Sequence, residues 1–325
     1  MSENSKTEPS VVRSFPVAPN RKTLTFREVC DAYMAAYDGR DIGRAATLAV
    51  WLPLLGADTL AAEICSDDIA DALEVLAQTP VRKYMGTHPD GSPHLKQFGL
   101  PAPATVNRKK AVLSAVLTWA VRRRLMPRGY TNPCREVESH KVKNARTRFL
   151  TNAERDRLLR VCRISSWDRL YLLILLALTT GARKSELLTL RYRQLDLERS
   201  TAHLFATKND RERVLPLPAN VIDEIRRFGR PPSPDALLFP SRYRPGQPFN
   251  IGTSWTAALR TARIENFRFH DLRHCCASLL AQSGASLIQI ADVLGHQSTE
   301  MAKRYSHLTL THKAELVNRV LGDIR

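Results

Sequence analysis

The sequence has little that would tie it to a membrane, an export route or a bound cofactor. Its longest apolar run, Leu170 to Leu178, falls far short of the roughly 20 residues a bilayer span needs, and the opening segment MSENSKTEPS has no apolar core of the signal-peptide kind. Cysteines are few and scattered (Cys30, Cys65, Cys134, Cys162, Cys275 and Cys276) with no Cys-x-x-Cys pair. That spacing excludes a disulfide scaffold and fits a reduced, cytoplasmic interior. The segment TTGARKSEL contains Gly181, Lys184 and Ser185 but lacks the Gly-Lys-Ser/Thr adjacency of a phosphate-cradling NTPase loop. His270 and His274 stand four apart, as two zinc ligands on a helix would. However, Asp271 takes the place of the zincin glutamate, and no third ligand sits at a recognisable spacing. No membrane association, no nucleotide or other cofactor and no metal is therefore expected.

Acid is the other thing in short supply. Asp and Glu number 32 against 49 Lys and Arg, giving a formal charge of +17 and a pI near 10.0, so a polyanion is the first partner to consider. The excess is concentrated: residues 82–128 hold ten Lys or Arg and one acid, Asp90, and part of that surface is expected to track phosphates.

With 325 residues the chain is long enough for two domains. Residues 1–22, rich in Ser, Pro and Asn, read as a flexible tail. A helical domain is expected over 23–132. Apolar residues recur at helical spacing from Phe26 to Met34, within 45–55 and 69–76, and from Val106 to Val121, where a long amphipathic helix runs into Arg122, Arg123 and Arg124. Residues 80–103, broken by Pro and Gly, read as a loop, and 133–149 as a basic linker. A second domain is expected over 150–325. Thr151 and Glu154 form a capping-box pattern at its first helix, and a second helix over about 167–180 stops at Gly181. From Arg193 to Leu217 the period shortens, with AHLFAT and RVLPL flanking a hairpin-like turn at Asn209-Asp210. Helices return from about 251. The expected class is mainly α with a small antiparallel β-sheet.

In FRFHDLRHCCASLLAQSG, helical spacing gathers Leu272, Cys275, Cys276, Leu279 and Leu280 on one face and sets His270, Arg273 and His274 opposite. Alone, that polar face is an ordinary solvated one. Five segments in order, TTGARKSELLTL, TKNDRERVLPL, HDLRH, LGH and KRYSHL, together resemble the catalytic domain of the tyrosine recombinases, also called the phage integrase family. The resemblance runs from about residue 150 to the C-terminus, and 23–130 is more weakly similar to the family's helical core-binding domain.

Motif by motif, the resemblance implies Arg183 and Arg273 as catalytic arginines, Lys208 as the lysine of the sheet turn, and His270 as partner of Arg273. It implies His296 as the histidine of LGH and Tyr305 as the nucleophile; all six positions hold the family's usual residues. Glu186, one turn after Arg183, resembles the acid that fixes that arginine. The chemistry of such a set is consistent. Two arginine forks suit the non-bridging oxygens of a phosphodiester in displacement, His270 is placed to act as base, and Lys208 on a turn suits the general acid for a departing 5′ oxygen.

The resemblance further implies a 3′-phosphotyrosine intermediate, duplex DNA with specific recombination sites as partner, and a homotetramer acting in integration, excision, resolution or inversion. Accessory DNA-bending or directionality proteins and a nucleoid location accompany that expectation. The last helix, with Leu310, Leu316, Val317, Val320 and Leu321, is expected to pack either on its own domain or on a neighbouring subunit. A type IB topoisomerase, a DNA-binding relative without catalysis and a zinc enzyme are the alternatives.

Overall fold

The computed structural model describes residues 24–88, 90–142, 148–205, 212–229, 233–244, 246–296 and 298–321. The chain divides into two compact units, residues 1–144 and 145–325.

In the first unit, α1 (Phe26–Ala35), α2 (Arg44–Ala49) and α4 (Ser66–Gln78) pack on α5 (Pro103–Arg122), and the short α3 (Leu52–Leu55) packs against α1, α2 and α4. A capping box starts α1, with Glu28 N–H donating to Thr25 Oγ1 and Thr25 N–H donating to Glu28. Phe26, Val29, Trp51, Ile69, Leu113, Val116 and Leu117 fill the core. Two features differ from the sequence reading. Residues 80–103 are not a plain loop, because β1 (Arg82–Thr87) pairs antiparallel with β2 (Pro93–Gln97), with a bulge between Tyr84 and Gly86. Also, the stretch read as a linker starts inside the first unit. The 3-10 turn Pro133–Arg135 buries Pro133 and Cys134, and Asn132 donates to Ser114 and Thr118 of α5. Lys110, which sequence placed among the basic surface residues, is buried with its ammonium on the Val137 carbonyl.

The second unit is built round α7 (Leu170–Thr180), where eight of the nine residues from Leu170 to Leu178 are buried, all but Tyr171. A helix apolar all round must be covered all round, and α6 (Asn152–Arg163), α8 (Lys184–Leu188), α9 (Ala219–Arg226) and α11 (Asp271–Gln282) cover it. The Thr151–Glu154 capping box starts α6 as the sequence indicates, and Arg148 holds the Glu154 carboxyl down to about 2. A three-stranded antiparallel sheet of β3 (Leu195–Asp196), β4 (Thr201–Leu204) and β5 (Arg213–Pro216) has β4 in the middle. Ala202, Leu204 and Leu215 face inward, and Val214 faces out. The fold closes with α10 (Gly252–Thr261), α12 (Leu287–Leu294), a 3-10 segment Thr299–Thr309 and α13 (Leu310–Leu321). The class is mainly α with small antiparallel sheets. Five cysteines are buried and Cys65 is exposed, and all six are free thiols.

Candidate active site

The site lies where the C-terminal end of α7 meets α8, α11, α12 and the 3-10 segment. Gly181 ends α7 in the left-handed conformation (φ 60°), which costs a glycine nothing. A Cβ there would lie 2.3 Å from Leu294 Cδ2, so the same glycine admits α12 to close range. The turn places Arg183 at the start of α8. Its backbone N–H donates to Glu186 Oε2 at 2.8 Å and its guanidinium to Glu186 Oε1 at 2.6 Å. Glu186 is only 7% exposed, and its second oxygen takes an ion pair from Arg213 at 3.4 Å.

Arg213 was not foreseen. The first residue of β5, it donates to the carbonyls of Thr180 and Val293, at the last turns of α7 and α12, where helix dipoles concentrate negative charge. Gly295 makes room for it, since a Cβ there would meet Arg213 Cδ at 2.7 Å. Burial, opposed by Glu186, lowers its pKa.

Arg273, on α11, is 5% exposed and donates to the Gly181 carbonyl at 2.8 Å. The reading of Leu279 as part of the buried face is corrected, and the face opposite is not the solvated one that an isolated helix would have. Arg273 and Asp271 are buried and Leu279 is exposed, because α11 is packed on several sides, by α7, α12 and the 3-10 segment. Burial, then the charges of Arg213 and Arg183, bring Arg273 down to about 10.

Gly295 also ends α12 in the left-handed conformation, and the turn presents His296. Its Nδ1 is buried and has no hydrogen-bond partner among the described residues. Burial and the charges of Arg273 and Arg183 hold it at about 4.

Tyr305 is 2% exposed, packed with Cys276, Ala277, Ala281, Ala291, Leu294 and Ala302. Its hydroxyl is 2.6 Å from His274 Nδ1. Burial pushes the phenol up to about 12, against the opposing pull of Arg304 and Arg273. His274 is held at about 4 by burial, then by His270 and Arg304. His270, the base expected from sequence, is exposed and stands edge-on to His274 with ring centroids 5.4 Å apart. Partial desolvation and Arg273 lower its pKa. Five of the six expected residues are thus gathered within reach of one another's charge, and Lys208 lies outside the described residues.

The sequence profile described as "Phage integrase family" matches residues 148–312. The chain belongs to the phage integrase family. Among curated members, a shufflon-specific DNA recombinase of Escherichia coli is 35% identical over 184 residues, covering 55% of this chain and 44% of the relative. The integrase of Salmonella phage P22 is 30% identical over 192 residues, covering 55% and 48%. The chain thus spans about half the length of these phage integrase relatives. Among solved structures, the Tn1549 transposon integrase in complex with a circular intermediate DNA superposes with a TM-score of 0.69 at 16% identity. That match covers 91% of this chain and 99% of that one, a likeness of fold.

Within the phage integrase pattern, the motifs locate the arginines, His296 and Tyr305. Sequence does not single out Arg213, which reads as an ordinary strand residue, or His274, which adjoins Arg273 and stands at the spacing of a zinc ligand. The available signal was that both lie within the ordered motifs, Arg213 inside TKNDRERVLPL and His274 at the end of HDLRH.

Proposed function

We propose that this protein cleaves and rejoins duplex DNA at specific sites by transesterification, with Tyr305 as nucleophile. The observation that carries this reading is the Tyr305 hydroxyl, buried and 2.6 Å from His274 Nδ1, beside Arg183 and Arg213, which share the carboxylate of Glu186. A phenol near 12 is a poor nucleophile. It needs a cationic field and a proton acceptor, and both are at hand.

In the proposed step the Tyr305 oxygen bonds to phosphorus and the bond from phosphorus to the 5′ oxygen breaks, leaving a 3′-phosphotyrosine and a 5′ hydroxyl. Arg183 and Arg273 take the non-bridging oxygens as charge builds on them. Glu186 holds Arg183 by its fork, and the Gly181 carbonyl holds Arg273, so both guanidiniums are oriented before DNA arrives. His296 completes the cradle through a hydrogen bond to the phosphate, which its unpartnered ring nitrogen supports. The phenolic proton leaves along the hydrogen bond to Nδ1 of His274, which the Nε2–H tautomer leaves free to accept; the negative charge of the bound phosphate offsets the burial and cations that oppose its protonation in the free protein. His270, the base suggested by sequence, lies beside it with ring centroids 5.4 Å apart and shares that role. Lys208 protonates the departing oxygen. Because the phosphodiester's free energy is kept in the phosphotyrosine, rejoining is the same step reversed and needs neither ATP nor a ligase.

Integration, excision, resolution or inversion all draw on this step, in a homotetramer on two duplexes with accessory DNA-bending or directionality proteins, on nucleoid DNA. The exposure of Val317, Val320 and Leu321 on α13 supports packing of that helix on a neighbouring subunit. The test is a suicide substrate nicked beside the cleavage point. An SDS-resistant adduct should map to the peptide containing Tyr305 and vanish in Tyr305→Phe while DNA affinity persists. An adduct mapping to Tyr171, Tyr192 or Tyr243, or undiminished in the Phe variant, refutes the assignment.

A further inference from the structure

The β1–β2 ribbon of the first unit has no buried face. Every residue of β2 is exposed, and of β1 only Gly86 is half-buried. A two-stranded hairpin with nothing packed on it is marginal in water, so its sequence should show what it is made to meet. Lys83 stands directly opposite Lys96 in the register, a like-charge pair that costs stability unless an anion lies between. Both ammonium groups sit over the ring of Phe98, at 4.9 Å and 5.9 Å from its centroid. On the other face Tyr84 pairs with Leu95, beside Arg82, and both are exposed. The one acid of the hairpin, Asp90, is turned into the tip, where it accepts from Ser92 N–H at 2.9 Å and Ser92 Oγ at 2.6 Å.

Lysines on an open strand edge also guard against edge-to-edge pairing. Such a guard does not call for uncovered Tyr84, Met85 and Leu95 beside it, nor for two lysines aligned on one side. The antiparallel pairing continues past the strands at the base of the ribbon, where Phe98 N–H donates to Val81 O at 2.7 Å and Val81 N–H to Gly99 O at 3.2 Å. The two legs are thus tied together down to the base, and the ribbon is an arm whose exposed surface is cationic and aromatic.

We propose that this ribbon is a DNA-contacting arm that grips a duplex in a sequence-independent way. Lys83 and Lys96 take backbone phosphates, and the Tyr84–Leu95 face turns toward the groove, whose width admits a two-stranded antiparallel ribbon. The proposal rests on the DNA-rearranging function above but not on its chemistry. It assigns the affinity of residues 82–98 to charge complementarity, separate from any residue of the candidate active site.

The test is the full-length double variant Lys83→Gln/Lys96→Gln, with affinity for an unrelated duplex followed by fluorescence anisotropy across a salt series. Each phosphate contact contributes about 0.9 to the slope of log K against log salt. The slope should become shallower by about 2, with binding roughly 60-fold weaker at ~0.1 M salt and converging on the native value near ~1 M. Adduct yield on saturating suicide substrate should stay as in the native protein and the thermal midpoint should not fall, since both side chains are exposed and their facing charges repel.

An unchanged slope overturns the arm. An unchanged slope together with lost self-association in sedimentation, without DNA, assigns the surface to a second copy of the chain instead. A shallower slope in a protein that forms no Tyr305 adduct keeps the arm and sinks the proposed chemistry, so the two readings fail separately.

Discussion

Replacing Glu186 by Gln changes one oxygen to an amide without altering shape, and isolates the charge that the arginine cluster is built round. Glu186 touches Arg183 at 2.6 Å and Arg213 at 3.4 Å, and Arg273 feels it from further away. At an effective dielectric near 20, unit charges about 4 Å apart attract by roughly 4 kcal/mol. The glutamine keeps one acceptor, and the carbonyls at the ends of α7 and α12 still face Arg213. The net cost is therefore about 3 kcal/mol, at the lower end of what unpairing a buried ion costs.

For a unit of this size, 1 kcal/mol moves the midpoint by about 2–4 °C, so calorimetry of the full chain should show the second unit melting roughly 6–12 °C earlier. Sulfate supplies the direction of the effect. An oxyanion among the three guanidiniums replaces part of the missing charge, so added sulfate should raise the variant's midpoint more than the native protein's. A variant that melts with the native protein, or that loses stability without a larger sulfate response, would show that Glu186 does not balance the cluster.

Acid should destabilise the second unit over a definite range. His274 and His296 are each held at about 4, below the ordinary 6.5, so the stability they confer is complete above about 6.5 and is lost as pH falls toward about 4. Urea midpoints should follow that course and flatten in His274→Gln and His296→Gln; a flat native profile contradicts the assignment. Gly181→Ala forces a left-handed alanine against Leu294 and should cost about 2–4 kcal/mol, read as an earlier midpoint with loss of adduct formation. An unmoved midpoint would show that the tight approach of α12 is not needed. Lys208→Ala should cleave ordinary DNA slowly and recover much of its rate when sulfur replaces the bridging 5′ oxygen, and no selective rescue moves the acid role to another group.

What could be read from sequence was what local spacing determines. The Thr151–Glu154 box, the stop at Gly181 and the alternation of β4 and β5 each depend on neighbours within a few residues, and each appears where expected. The burial of Arg273 depends on a carbonyl 92 positions earlier, and that of Arg213 on carbonyls in two other helices, so helical geometry alone left the polar face of α11 in solvent. The β1–β2 ribbon was invisible for a different reason. With neither face buried there is no apolar alternation, and Gly86, Gly91 and Pro93 give the same signal as a loop. Among the site residues, motif order identified Arg183 and Tyr305 but not the partner of the phenol. His274 lies beside Arg273 in sequence, and only the path of the 3-10 segment decides which histidine the hydroxyl meets.

The packing round Tyr305 has a consequence for how often the proposed nucleophile is free. Between Thr299 and Leu308 only Ala302 and Tyr305 are buried, with Leu308 partly buried beside them, so one phenol ring is the main anchor of that segment. Burying an aromatic side chain is worth roughly 1.5–3 kcal/mol, and its hydrogen bond adds about 1. Release at about 3 kcal/mol would occur in about one molecule in a hundred at any moment, and backbone amide exchange across residues 299–308 should report that fraction. The group proposed to reach the phosphate is thus also the bolt that holds its own segment shut, so in that reading reactivity and local order draw on the same contacts.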